Sequence, residues 1–249
     1  MDGLTLTLFL TAAFFGGLIS GLSGFAMGLV VSGVWLHIIT PEQTALLIVL
    51  SGLVTQGSGI WRVRHALSWR KVAPFIIGGA IGIPGGTFLL TSLDPARLRT
   101  GTGVLLLAFG LYSLIRPIRK PVEGSIPGDL GVGVANGLIG GLTGLGGIAV
   151  TVWCQLVGGP KDAQRAIFQP VMFATFAMSA VSFAAAGMYT AETMKLYLLA
   201  LPLLIAGIWC GLRLYGRLDD AGFRKVVLLL LLTAGLSLVV APLLAIITK

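Results

Sequence analysis

Charge is what this sequence has least of. Only a tenth of its 249 residues are Asp, Glu, Lys or Arg, and just nine of them are acidic. No Asp or Glu falls inside any of the charge-free runs at 3–41, 43–61, 72–93, 100–115, 130–160, 166–191, 196–212 and 226–248. Carboxylates at membrane depth are the usual markers of proton relays, so coupling through a buried carboxylate has no candidate here. There are two cysteines, Cys154 and Cys210, both within apolar runs, and they read as packing residues, not as a disulfide or a metal pair. Of the two histidines, His37 lies near the end of a run and reads as interfacial, while His65 sits among basic residues and reads as a loop histidine. Walker A, HExxH and Cys/His-cluster motifs are all missing, so the chain is expected to be no enzyme and to need no cofactor or metal. The N-terminus MDGLTLTLFL lacks a basic region, and the apolar run after it is too long for a cleaved signal peptide.

What is present is apolar sequence. Hydrophobic residues make up 56% of the chain and the mean hydropathy is +0.97. A helix that crosses the hydrocarbon core needs ~20 apolar residues. Six of the runs fit one crossing each, which predicts an all-α polytopic protein of the cell membrane with no room for a soluble domain. The sequence pI near 10 does not point to nucleic acid. The 17 Lys and Arg sit in short loops, where they report membrane orientation.

The chain also resembles itself. GLISGLSG at 17–24 matches GLIGGLTG at 137–144, and LDPARLR at 93–99 matches LDDAGFR at 218–224. Between these pairs, Gly82 and Gly86 match Gly207 and Gly211 in the same order. The expected organisation is a first membrane repeat at 1–118, a linker at 119–127 and a second repeat at 128–249. The two Gly-rich runs, 3–41 and 130–160, are too long for one upright crossing, at ~58 and ~46 Å of helix against a ~30 Å core. Each is either a long tilted helix or a helix broken at its glycines that returns to its starting side. If every run crosses once, loop Lys and Arg divide nine against eight. If the two long runs return, they divide thirteen against four, the positive-inside rule works, and the halves become inverted repeats. We favour the second arrangement.

Six glycines stand among the fourteen residues GLIGGLTGLGGIAV at 137–150, although glycine is about 1 kcal/mol worse than alanine inside a helix. Close helix contact accounts for Gly82, Gly86, Gly207 and Gly211. It accounts less well for two clusters at matching places in the over-long runs. A broken helix exposes unpaired N–H groups and about half a positive charge at membrane depth, and two such ends together make an anion site without a buried arginine. The candidate site residues are Ser23 and Gly24 from the first motif, with Asn136, Thr143, Gly144, Gly146 and Gly147 from the second. Gln56 and Gln169 join them as amides within apolar runs, where bonding to another helix is the competing explanation. Pro170 frees a carbonyl next to Gln169 and predicts a local kink. Trp61, Trp69, Trp153, Trp209 and Tyr189 fall mostly near span ends, as interface belts require.

GLSGFAMG and GLTGLGG, opening two similar halves, resemble the sulfite exporter TauE/SafE family of membrane permeases. The resemblance extends to GGAIGIPGG, LDPARLR and KDAQRAIFQP, and so covers nearly the whole chain. It implies a transporter for a small anion, sulfite or an organosulfur anion such as a sulfonate. The first half departs from the pattern, with GFAMG where the second reads GLGG, so its backbone cradle is less glycine-rich. The reading is therefore a secondary carrier in the lipid bilayer, working by alternating access around a central site. An anion channel, or an intramembrane scaffold in which the glycines serve packing alone, stays open, as does a homo-oligomer.

Overall fold

The computed structural model describes residues 2–63, 68–115, 124–158, 161–214 and 236. Among them the chain is helical, with no strand. The nine helices that these residues form are α1 (Gly3–Ser23), α2 (Met27–Ile38), α3 (Pro41–Val63), α4 (Trp69–Ser92), α5 (Pro95–Ile115), α6 (Ile126–Thr143), α7 (Ile148–Val157), α8 (Lys161–Ala185) and α9 (Ala191–Leu214). Four are long and apolar enough to cross a membrane: α1, α4, α8 over Ala163–Ala185, and α9. His65, LDDAGFR at 218–224 and nearly all of the run 226–248 lie outside the described residues.

Helix starts follow local chemistry. Asp2 caps α1 by accepting from the Thr5 N–H at 3.3 Å, and Ser125 caps α6 by accepting from the Gly128 N–H at 3.2 Å. Before α3, Thr40 and Gln43 exchange reciprocal bonds of 3.2 Å around Pro41, a capping box. Asp94 accepts from the Ala96 N–H at 3.0 Å ahead of α5, which opens on Pro95.

Each over-long run contains two helices. Run 3–41 holds α1 and the 12-residue α2, and run 130–160 holds most of α6 and the 10-residue α7. At 1.5 Å per residue, α2 and α7 extend only ~18 and ~15 Å, short of the ~30 Å hydrocarbon core.

The chain forms two compact units. One comprises Met1–Thr44, Leu93–Arg116 and Ala191–Lys249, and the other Ala45–Ser92 and Pro117–Thr190. Each unit thus draws helices from both halves of the sequence. In the first unit α1 packs on α9, and in the second α6 packs on α4. The glycines make both approaches possible. A Cβ on Gly207 or Gly211 would overlap the Phe14 or Leu18 carbonyl oxygen, and one on Gly17 or Gly21 would overlap that of Leu204 or Ile208. In the second unit, Gly82 and Gly86 meet the Val134 and Leu138 carbonyls, while Gly137 and Gly141 meet those of Gly79 and Ile83. The four contacts correspond one to one, with a shift of 120 residues for the first helix of each pair and 125 for the second. Backbone meets backbone, which only residues without a side chain allow.

The first unit also has an aromatic core. Phe9 and Trp35 are fully buried and stacked at 4.9 Å, and the Trp35 Nε1–H donates to the Phe9 carbonyl at 3.1 Å. Such a buried pair supplies apolar area while leaving no indole donor unsatisfied. Trp69 and Trp209 are exposed, and Arg213 lies 3.4 Å over the Trp209 ring. Cys154 and Cys210 are free thiols.

Candidate functional site

The residues singled out in the second Gly motif converge where α6 ends and α7 begins. The α6 helix stops at Thr143 because Gly144 takes the left-handed conformation (φ +74°) and its N–H turns back to the Gly140 carbonyl at 2.9 Å. A Cβ at Gly144 would press on the Ala45 carbonyl at 2.6 Å, so the position excludes side chains for two reasons. The Thr143 hydroxyl donates to the Ile139 carbonyl at 2.8 Å and accepts from the Leu145 N–H at 3.1 Å.

Two residues on, the chain turns into α7 through Gly147, whose φ of +139° is open to glycine alone. Asn136, only 1% exposed, spans the gap. Its Oδ1 accepts the Gly147 N–H at 2.8 Å, and its Nδ2 donates to Thr175 Oγ1 at 3.1 Å. The Thr175 hydroxyl passes its own proton to the Val171 carbonyl at 2.8 Å. One buried amide therefore joins α6, the start of α7 and α8. The fit is close, since a Cβ on Gly140 or Gly146 would meet Thr175 Cγ2 at 2.9 or 2.6 Å, and one on Gly147 would meet Met172 at 2.5 Å.

No side chain caps α7 at Gly147. The amides of Ile148, Ala149 and Val150 in its first turn have no acceptor within the helix. One turn in, the Thr151 hydroxyl is buried with no partner among the described residues, as is Gln169 Oε1 on α8. Gln56 is buried, and its Nε2 donates to the Met172 sulfur at 3.5 Å. Gln169 lies three residues before Met172 on the same face of α8. The fold thus gathers Gln56, Asn136, Gly146, Gly147 and Gln169 about Met172 and Thr175, with Thr143 and Gly144 forming the adjacent helix end. Pro170 is carried inside the continuous helix α8.

Ser23 and Gly24 belong to the other unit, where they end α1 by the same device. Gly24 is left-handed (φ +85°) with its N–H on the Ser20 carbonyl at 2.7 Å. The Ser23 hydroxyl donates to the Ile19 carbonyl at 2.9 Å and accepts from the Phe25 and Ala26 N–H groups at 3.3 and 3.2 Å. At both ends the single hydroxyl proton is already committed to the helix's own backbone.

Sequence reasoning missed Met172, Thr175, Thr151 and Ser179. The signal for three of them was present: Gln169, Met172, Thr175 and Ser179 recur at intervals of three and four along α8, one face of a helix. Thr175 and Ser179 are both buried, and Ser179 Oγ has no partner among the described residues.

Long apolar helices, two shorter apolar ones and a buried polar cluster define the class: a multi-pass helical membrane protein. The family model described as sulfite exporter TauE/SafE matches residues 9–238, and the chain belongs to that family of membrane permeases. No curated protein and no solved structure matches it.

Proposed function

We propose that this protein is a secondary carrier of the cell membrane for a small anion, held at the N-terminus of α7. Sulfite, or an organosulfur anion such as a sulfonate, is the substrate class that the family supports. The observation that carries the reading is the Asn136–Gly147 tie, which fixes an uncapped helix start beside buried hydroxyl and amide groups. Free first-turn amides and the positive end of the helix dipole favour an anion. The opposing C-terminus of α6 is partly neutralised, because the Thr143 hydroxyl and the Gly144 N–H answer its last carbonyls. The Thr151 hydroxyl, one turn into α7, is the next donor. Met172, flexible and packed against Gly147, is the side chain that yields to admit the ion. Coupling is to the anion gradient or the membrane potential, and access alternates between the two sides.

We further propose that residues 1–118 and 128–249 are inverted repeats, with α2 and α7 as returning segments. The matched glycine contacts, the lengths of α2 and α7 and the loop charges support this. The loops at 62–71 and 213–225 then share the cytoplasmic side, which single-cysteine labelling at Ser68 and Ala221 with an impermeant maleimide tests.

Flux in proteoliposomes with a panel of radiolabelled anions tests the function. Saturable, trans-stimulated uptake is expected, and Asn136→Leu should abolish it in folded protein. Single-channel currents would instead make the protein a channel, and absence of flux for every anion would make it a scaffold.

A further inference from the structure

A second site lies at the opposite end of α7, independent of the carrier reading. A cavity of about 500 Å³ opens among the starts of α4, α6 and α8 and the last turns of α7. That volume suits an organic ligand of moderate size; a small inorganic ion would leave most of it unfilled. Its wall is apolar, with Phe75, Val157 and Ile167, and its polar groups are of both signs: the Lys71 ammonium and the Asp129 carboxylate. Although both line one cavity, no ion pair joins Lys71 to a carboxylate among the described residues. Asp129 is instead oriented by Trp153, whose Nε1–H donates to its Oδ1 at 2.7 Å. One carboxylate oxygen keeps its full accepting capacity, beside the N–H edge of the indole. A carboxylate beside an aromatic ring recognises an ammonium group, and a separate lysine recognises an anion.

We propose that this cavity binds a zwitterion carrying a primary ammonium and a phosphate- or carboxylate-type anion, the ammonium on Asp129 and Trp153 and the anion on Lys71. In a chain that spans a bilayer, two sources supply that chemistry: an ethanolamine phospholipid headgroup, or a soluble zwitterion from the aqueous phase. Trp69 (66% exposed) and Ile126 (69% exposed), at the starts of α4 and α6, offer apolar surface for acyl chains.

The test uses purified full-length protein given equal amounts of phosphatidylethanolamine and phosphatidylglycerol with the same acyl chains. Native mass spectra should show the former retained about fivefold over the latter, the selectivity that one added hydrogen bond confers. Asp129→Asn should erase that preference while keeping an acceptor for Trp153, and Lys71→Gln should lower retention of both lipids. In lipid-depleted protein, titration with O-phosphoethanolamine by calorimetry separates the sources. Lipid preference without O-phosphoethanolamine binding identifies the bilayer headgroup. O-phosphoethanolamine binding that both substitutions weaken, without lipid preference, identifies a soluble zwitterion. Equal retention of both lipids with no O-phosphoethanolamine binding overturns the proposal, as does binding that neither substitution changes.

Discussion

Two helix ends, at residues 16–27 and 136–147, share the pattern GLIxGLxG and differ at both of their limits. Both stop a helix with a left-handed glycine, and both spend a hydroxyl on the carbonyl four residues back. In the second, Asn136 reaches the Gly147 N–H. In the first, the same two places hold Gly16 and Met27, which meet by packing: a Cβ on Gly16 would touch Met27 Cγ at 3.4 Å. The small and large residues have changed places, and a hydrogen bond has become a van der Waals contact. The amides after Gly24 also turn inward to Ser23, whereas in the second motif only Leu145 turns to Thr143. No side chain caps the short helix that follows either end, so the difference lies in the tie that precedes it: Ser23 holds the Ala26 N–H before α2, and Asn136 holds the Gly147 N–H before α7.

The largest expected effect tests what the two ends have in common. Gly86→Leu and Gly211→Leu each force a side chain into a backbone carbonyl that cannot rotate away, at the upper end of the ~1–3 kcal/mol usual for overpacking, or beyond it. Both should remove most of the monodisperse protein seen by size-exclusion chromatography. Normal yield from one of them would break the equivalence of the helix pairs.

Next comes the difference between the ends. Asn136→Leu leaves the buried Gly147 N–H unpaired, at a cost of about 1–3 kcal/mol. Thermal unfolding should show that loss together with abolished flux. Wild-type transport by a folded Asn136→Leu protein would move the site away from α7.

A smaller effect belongs to the hydroxyls. Ser23→Ala and Thr143→Val should each cost about 1 kcal/mol of stability, as one net hydrogen bond does. Because each proton is held by a backbone carbonyl, anion affinity should change less than stability. A large drop in affinity for Thr143→Val alone would sharpen the contrast, by making that hydroxyl a ligand.

The smallest effect separates the helix starts. The bond from Thr5 to the exposed Asp2 holds the Asp2 carboxyl below its ordinary value of 3.8, while Ser125 at the head of α6 does not titrate. The lowered value means that the Asp2 cap contributes above pH ~4 and is lost as pH falls through its folded-state pKa. Hydrogen exchange, corrected for intrinsic rates, should show the first turn of α1 fraying in acid. The first turn of α6, and that of α1 in Asp2→Asn, should show no such step.

Where reading and structure agree, the interactions are short in sequence. Hydrophobic run lengths, a local property of the sequence, marked the membrane class. Gly82, Gly86, Gly207 and Gly211 were legible as packing residues because each pair has the four-residue spacing of a close helix contact. Gly17, Gly21, Gly137 and Gly141 were harder to sort, since packing glycines and helix-ending glycines are interleaved in one stretch. Asn136 was recognisable as a polar residue out of place, but its partners were not.

The sequence alone settles that the chain is apolar enough for a bilayer, because hydropathy is a local sum. Only the tertiary structure pairs α1 with α9, across most of the chain, and α4 with α6. Only it brings Asn136 to Thr175, 39 residues away, and Gln56 to Met172, 116 away. Such partners are chosen by which helix faces fit together, and no window of sequence carries that information.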